Sequence, residues 1–194
     1  MGLKLISPPE VEAVTLAEAK AHLRLDTATD DAYVSALIPA ARERIELFLR
    51  RALISQAFEL TLDRFPENTR SIDIPRPPLQ SVEWIKYTDT AGALRTLTED
   101  EYVVDLSSNE VGRVALAWNQ YWPVTRDSIN AVVIRYVAGY GDAAADVPQA
   151  IRHGILMEIS NLYENREDVI VGQPVNMLAV SERLLWPYRA LGAE

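Results

Sequence analysis

The 194-residue sequence contains no cysteine, which excludes disulfides and thiolate metal sites. It has only two histidines, His22 and His153, and neither stands in a metal-ligand spacing. Both read as solvated or interface side chains. No apolar run approaches the roughly 18 residues of a membrane-crossing helix, so no membrane partner is expected. Met1-Gly2-Leu3-Lys4 lacks the apolar core of a signal peptide, and the expectation is synthesis in the cytoplasm. No serine sits in a nucleophile elbow, so a Ser–His–acid triad has no anchor. Gly139-Tyr140-Gly141 lacks the further glycine and the Lys-Ser/Thr of a phosphate loop, and reads instead as a hinge at Gly139 and Gly141. Basic side chains are also short in supply, 19 against 28 acidic ones, for a net charge of −9. A protein that grips nucleic acid concentrates Lys and Arg to displace counterions from phosphate. Tight DNA binding is therefore not expected, whereas a surface that DNA slides past without sticking is compatible. Glu99-Asp100-Glu101 invites an acid/base hydrolase reading, but consecutive acids before a strand fit a solvated turn better. No catalytic residue, cofactor or metal is expected.

What is present is a change of period along the chain. Thr15-Leu16-Ala17-Glu18 is a capping box that opens a short helix with Leu16, Ala19 and Leu23 inward, ending near Asp26. A second helix starts at Asp30 or Asp31, with Val34, Leu37, Ile38, Ala41, Ile45, Phe48, Leu49 and Ala52 at helical spacing. Arg42, Glu43, Glu46 and Arg50 fall on its wet side, and Arg50 with Arg51 suits the negative end of the helix dipole. Pro39 should kink it. From Ser55 the period becomes 2, with Phe58, Leu60 and Leu62 alternating with polar residues. Ile72 and Ile74 continue the pattern, and Pro75-Arg76-Pro77-Pro78 must be a connector or an edge. Hairpins are expected around Asp89-Thr90-Ala91-Gly92 and Ser107-Ser108-Asn109-Glu110. With Val132 to Ala138 the count is about seven strands at the spacing of a small antiparallel sandwich or barrel. Asp146-Val147-Pro148-Gln149 then starts a last helix that buries Ile151, Ile155, Ile159, Leu162 and Tyr163, with Arg152, His153, Glu158, Asn161 and Glu164 elsewhere around the wheel.

The fold class is thus α+β. A helical bundle of N- and C-terminal helices (1–54 plus 139–194) carries an inserted antiparallel β-sandwich or barrel-like module (55–138). Two stretches stand out for contact with other molecules. Trp118, Tyr121 and Trp122 crowd one loop and could be core lids, a sugar platform or a protein-contact patch. The tail beyond Arg166 holds large apolar residues without an obvious partner in its own chain, as a docking arm would. Its docking part is taken as 177–194, with Leu184, Leu185, Trp186, Tyr188 and Arg189 as the contacts.

Several segments, in this order, carry a resemblance. They are Thr15-Leu16-Ala17-Glu18-Ala19-Lys20 with His22-Leu23, and Asp30-Asp31 opening a helix through Ala40-Ala41-Arg42 to Arg51-Ala52-Leu53. Then come Tyr136-Val137-Ala138-Gly139-Tyr140-Gly141-Asp142, Val147-Pro148 with Ile151, and Leu184-Leu185-Trp186-Pro187-Tyr188-Arg189. Together they resemble the head–tail connector (adaptor, or head-completion) proteins of long-tailed bacteriophages and gene transfer agents. The resemblance implies a structural virion protein at the head–tail junction. Its partners would be a portal protein, a stopper or tail-completion protein, and other copies of itself in a ring of typically twelve. DNA would pass through without specific binding. Pro39 and the size of the β-module depart from the smallest, nearly all-helical members. The reading kept beside it is a carbohydrate- or protein-binding β-module on a helical support.

Overall fold

The computed structural model describes residues 1–165 and 183–190, a mixture of helices and antiparallel strands. Among these, two compact units separate. One comprises Met1–Pro9, Ser55–Tyr140 and Ala190; the other runs over Glu10–Ile54 and from Gly141 to Arg189.

The first unit is all strand. Its members are β1 (Gly2–Ser7), β2 (Gln56–Leu62), β3 (Ser71–Ile74), β4 (Leu79–Thr88), β5 (Leu94–Leu97), β6 (Tyr102–Asp105), β7 (Gly112–Leu116) and β8 (Val132–Ala138). Five of them form a sheet in the order β1-β2-β8-β4-β5, and three form a second sheet in the order β3-β7-β6. Every pairing is antiparallel. The period-2 pattern positions the core: Phe58 and Leu60 on β2, Ile134 and Tyr136 on β8 and Ile85 on β4 share one face and are buried. Phe58 and Tyr136 lie opposite each other and stack at 5.6 Å. The buried Tyr136 hydroxyl donates to the Pro75 carbonyl at 2.9 Å, so the ring is accommodated without an orphaned polar atom. On the other face Arg135 bridges Glu59 at 3.1 Å and Glu83 at 2.9 Å, tying three neighbouring strands by charge. Both expected hairpins are present, β4–β5 and β6–β7.

One strand was not anticipated. Residues 1–14 read as an extended lead-in belonging with the helices, yet Gly2–Ser7 pairs along β2 and Met1–Pro9 sits in the sheet unit. Without β1, that side of β2 would present a row of unpaired N–H and C=O groups.

The second unit contains α1 (Leu16–Leu23), α2 (Asp31–Leu49) and α3 (Gln149–Glu164), with single 3-10 turns at Ala144–Asp146 and Trp186–Tyr188. The capping box forms as the sequence requires. The Thr15 hydroxyl accepts from the Glu18 N–H at 3.2 Å, and the Thr15 N–H donates to the Glu18 carboxylate at 2.9 Å. Arg24 and Arg50 end α1 and α2 in the left-handed conformation, φ 58 and 56, where glycine is the usual occupant. The α2 helix runs unbroken past Pro39. Val34, Ile38, Ala41, Ile45 and Leu49 of α2 are buried, as are Ile151, Ile155 and Ile159 of α3, and the two helices pack together. Each such aliphatic side chain contributes about 1.5–3 kcal/mol by leaving water. The start of α3 differs from expectation. Pro148 takes the position before the first turn, and Asp146 caps the preceding 3-10 turn by accepting from the Ala143 N–H at 2.9 Å.

Three charged residues assigned to water are buried. Arg42 donates to Glu12 at 2.8 Å and to Glu46 at 2.7 Å. The second Glu46 oxygen accepts from the Leu53 N–H at 2.9 Å. Glu158 is 4% exposed and pairs with Arg44 at 2.9 Å. Burial pushes its carboxyl above the usual range, against the opposing pull of Arg44 and Asn161. A helical wheel put Arg42 and Glu46 outside because their distant partners, Glu12 and the Leu53 N–H, do not show in the period.

Candidate functional site

The tail contacts come first. Residues 177–182 and 191–194 of the expected docking stretch lie outside the described residues. From 183 to 190 the chain lies on its own helical unit, which corrects the picture of an arm with no partner. Leu185 is 1% exposed and fills the space left by Gly154 of α3. A Cβ at position 154 would stand 2.9 Å from a Leu185 methyl group, closer than carbon atoms tolerate, so only glycine leaves room. Arg51 is buried too, and its Nε donates to the Tyr188 carbonyl instead of remaining at the end of α2 as a dipole counter-charge. The Arg189 guanidinium lies 5.6 Å from the Phe48 ring and 5.3 Å from the Trp186 ring. Leu185 is thus an anchor and has no surface to offer. Trp186 is 58% exposed, and Leu184, Tyr188 and Arg189 are half-buried. These four are the available part.

The aromatic loop divides the same way. Trp122 stacks on Phe65 with centroids 4.9 Å apart and 6° between planes, and its Nε1 donates to the Thr69 carbonyl at 3.1 Å. Phe65 in turn meets Tyr87 of β4 edge-on at 5.7 Å. Trp122 is therefore a lid on the core of the sheet unit. Trp118 and Tyr121 are 95% and 79% exposed, and Val124 and Ile129 of the same loop are almost as bare. Beside the lid lies an open groove of about 680 Å³, with Arg64, Arg70 and Arg126 among its lining residues. Arg70 is spent on the Ala117 carbonyl at 2.9 Å, and Asp63 accepts from the Asn130 N–H at 3.0 Å. Its polar groups therefore hold loops in place.

Gly139 has φ 141, a conformation that side chains other than glycine's rarely adopt. Its N–H donates to the Pro78 carbonyl and its carbonyl accepts from Gln80, both at 2.9 Å. Gly141 lies against the Asp146 carboxylate.

The acids at 99–101 do not converge on anything. The Thr98 hydroxyl and N–H both donate to Glu101 at 2.7 Å, which makes the run a capped turn. The two histidines meet, which their sequence positions did not suggest: His22 of α1 and His153 of α3 lie edge to face at 6.0 Å. Desolvation, then the neighbouring His153, lowers the pKa of His22. Among the described residues no group of three or more His, Cys, Asp or Glu could hold a metal ion, and no helix is long and apolar enough to cross a membrane.

What the geometry contains, then, is surface for contact without convergent chemistry. Whole-chain comparison agrees on the fold. A chain from the neck of an empty gene transfer agent particle, computed with C6 symmetry, is similar with a TM-score of 0.79 at 24% identity. A chain from the virion of a native gene transfer agent particle gives 0.77 at 23%. One from the neck of a native particle, computed with C12 symmetry, gives 0.72 at 22%. Each alignment covers 100% of this chain and 98% of the other. A comparison with curated proteins found no match. Residues 13–121, more than half of the sequence, match the family described as phage gp6-like head–tail connector protein, and the chain belongs to that family of structural, non-enzymatic proteins.

Proposed function

We propose that this connector forms a ring beneath a portal protein, receives a stopper or tail-completion protein on its other side, and lets DNA pass through its centre. Membership of the connector family carries the reading: it makes the chain a structural component of a phage-like particle and not an enzyme. Two further observations support the finer picture. The fold is shared along its full length with chains from particle necks computed with C6 and C12 symmetry, so a ring of twelve copies at the head–tail junction is the assembly proposed. The net charge of −9 suits a conduit wall, because an acidic surface does not hold the phosphate backbone. In this reading the three helices act as a small bundle and the two sheets as a sandwich-like module inserted into it, with Gly139 and Gly141 as the turn between them.

The portal contact is assigned to Leu184, Trp186, Tyr188 and Arg189, with Leu185 as the internal anchor that presents them. Electron microscopy of the protein mixed with its portal tests the reading. A closed ring of twelve on the portal is the expected image; a portal left bare at saturating protein overturns it. The contact itself is tested by Trp186→Ala, an exposed change that leaves the helical core alone. Portal pull-down should fall at least tenfold, and undiminished binding would remove these residues from the contact.

A further inference from the structure

The four barest large apolar side chains among the described residues all belong to one loop: Trp118 at 95% exposure, Ile129 at 83%, Tyr121 at 79% and Val124 at 76%. Single exposed apolar residues need no explanation, but four within twelve positions mark a contact surface. The loop is held in shape and is not a loose excursion. Thr125 bridges to Asp89, the Arg126 N–H donates to the Thr88 carbonyl at 3.0 Å, and Trp122 pins its middle. It therefore presents its apolar side chains from beside the β4–β5 turn.

The same sheet has a second unfinished surface. β1 pairs only with β2, so its outer edge keeps free backbone donors and acceptors. Leu3 and Leu5 lie opposite the buried Leu60 and Phe58, so the apolar face of the sheet continues onto the edge strand and stops half covered, at 40% and 47% exposure. β1 is separated from β4 by β2 and β8, so the two surfaces lie at different places on one sheet. One chain thus carries two different apolar surfaces, which is what a head-to-tail contact that closes into a ring requires.

Charge favours a second copy as the occupant. Two chains of −9 repel unless they meet through surface with little charge or with opposite charges. Residues 117–131 carry only Arg126 and Asp127, and Arg126 is turned onto the β4–β5 turn, its guanidinium where a Cβ of Gly92 would be. That leaves Asp127, which is exposed. Residues 1–9 carry one charge, the exposed Lys4, and no acid. We infer that the aromatic loop of one copy rests on the β1 edge of the next, with Trp118, Tyr121, Val124 and Ile129 covering Leu3 and Leu5 and with Asp127 facing Lys4. This inference rests on the ring reading above.

The absence of native cysteine makes the test clean. Necks are isolated from particles assembled with Leu5→Cys, with Tyr121→Cys, or with both in one chain, and treated with a short bis-maleimide. The double variant should give a ladder of covalent multimers of this chain, and either single variant none. In parallel, Lys4→Glu or Asp127→Lys alone should lower the number of copies per neck about tenfold, since like charges brought face to face cost well over 1 kcal/mol, and the exchanged pair Lys4→Glu/Asp127→Lys should restore it. Rings visible by microscopy with no ladder, and with both single charge variants assembling as the parent does, overturn the inference and leave the ring reading standing. A bis-maleimide product that joins the loop to a portal or tail-side protein overturns it in favour of that partner. Necks with no ring of this chain overturn both.

Discussion

Glu46 and Leu185 illustrate how much one side chain depends on residues far along the sequence. Glu46 accepts from Arg42 and from the Leu53 N–H within a buried cluster that also includes Glu12. Removing one member of such a cluster leaves the others desolvated and unpaired, which costs about 3–5 kcal/mol. Glu46→Ala should therefore lower the free energy of urea unfolding by that amount, whereas the exposed neighbour Glu43→Ala should change it by less than about 0.5 kcal/mol. Leu185 and Gly154 test each other. Gly154→Val overfills the site and should cost about 1–3 kcal/mol, and Leu185→Ala leaves a hole worth about 2–5 kcal/mol. The double variant should cost less than the sum of the two, because valine occupies the space the leucine vacates. Additive losses in chemical denaturation would show that residues 183–190 do not sit on α3. Neither arrangement could be read from sequence, since a wheel records angle and not partners, and Gly154 looked like an ordinary small residue within a helix.

At the scale of elements, the strongly periodic segments were legible and the edges were not. β2, β8 and the two hairpins follow from alternation and turn residues, and α1 follows from Thr15 and Glu18. β1 escaped because Gly2–Ser7 is short and its pairing with β2 spans more than fifty residues of chain. The contact of α1 with α3 was equally invisible, and it brings His22 and His153 together. The pKa of His22 is lowered in the fold, by burial first and by His153 second. As pH falls through the ordinary value of 6.5, the unfolded chain therefore takes up protons at this site that the folded chain resists. Stability contributed here is complete above pH 6.5 and is lost on acidification. The Glu18–Arg152 ion pair joins the same two helices and stays charged across this range. The urea midpoint should decline between pH 7.5 and 5.5 in the parent, and His22→Asn should flatten that decline. An unchanged slope in the variant would place the sensitivity elsewhere.

For the whole molecule, charge and family membership decide more than any single contact. A wall that DNA must slide past is served by weak attraction, and duplex DNA should show no retardation in a gel at 0.15 M salt with about 10 µM protein, below the usual range of non-specific affinities. Retention under those conditions, weakening steeply with salt, would mean that a basic surface outweighs the net charge. The sequence could report the sign of the charge and the alternation of helix and strand. It could not report which edges of the sheet stay open, because that is a property of strand order, and strand order is set by pairings between distant residues.

One pairing has a wider reach. Gln56, at the start of β2, lies opposite Ala138, at the end of β8, and residues so paired in antiparallel strands stand about 5 Å apart. The chain thus leaves for its eighty-residue excursion and returns at almost the same point. An insert whose two ends nearly touch can be lengthened, trimmed or exchanged without spreading the framework on either side. Connectors for tubes of different bore could then differ in that cassette while reusing the same three helices.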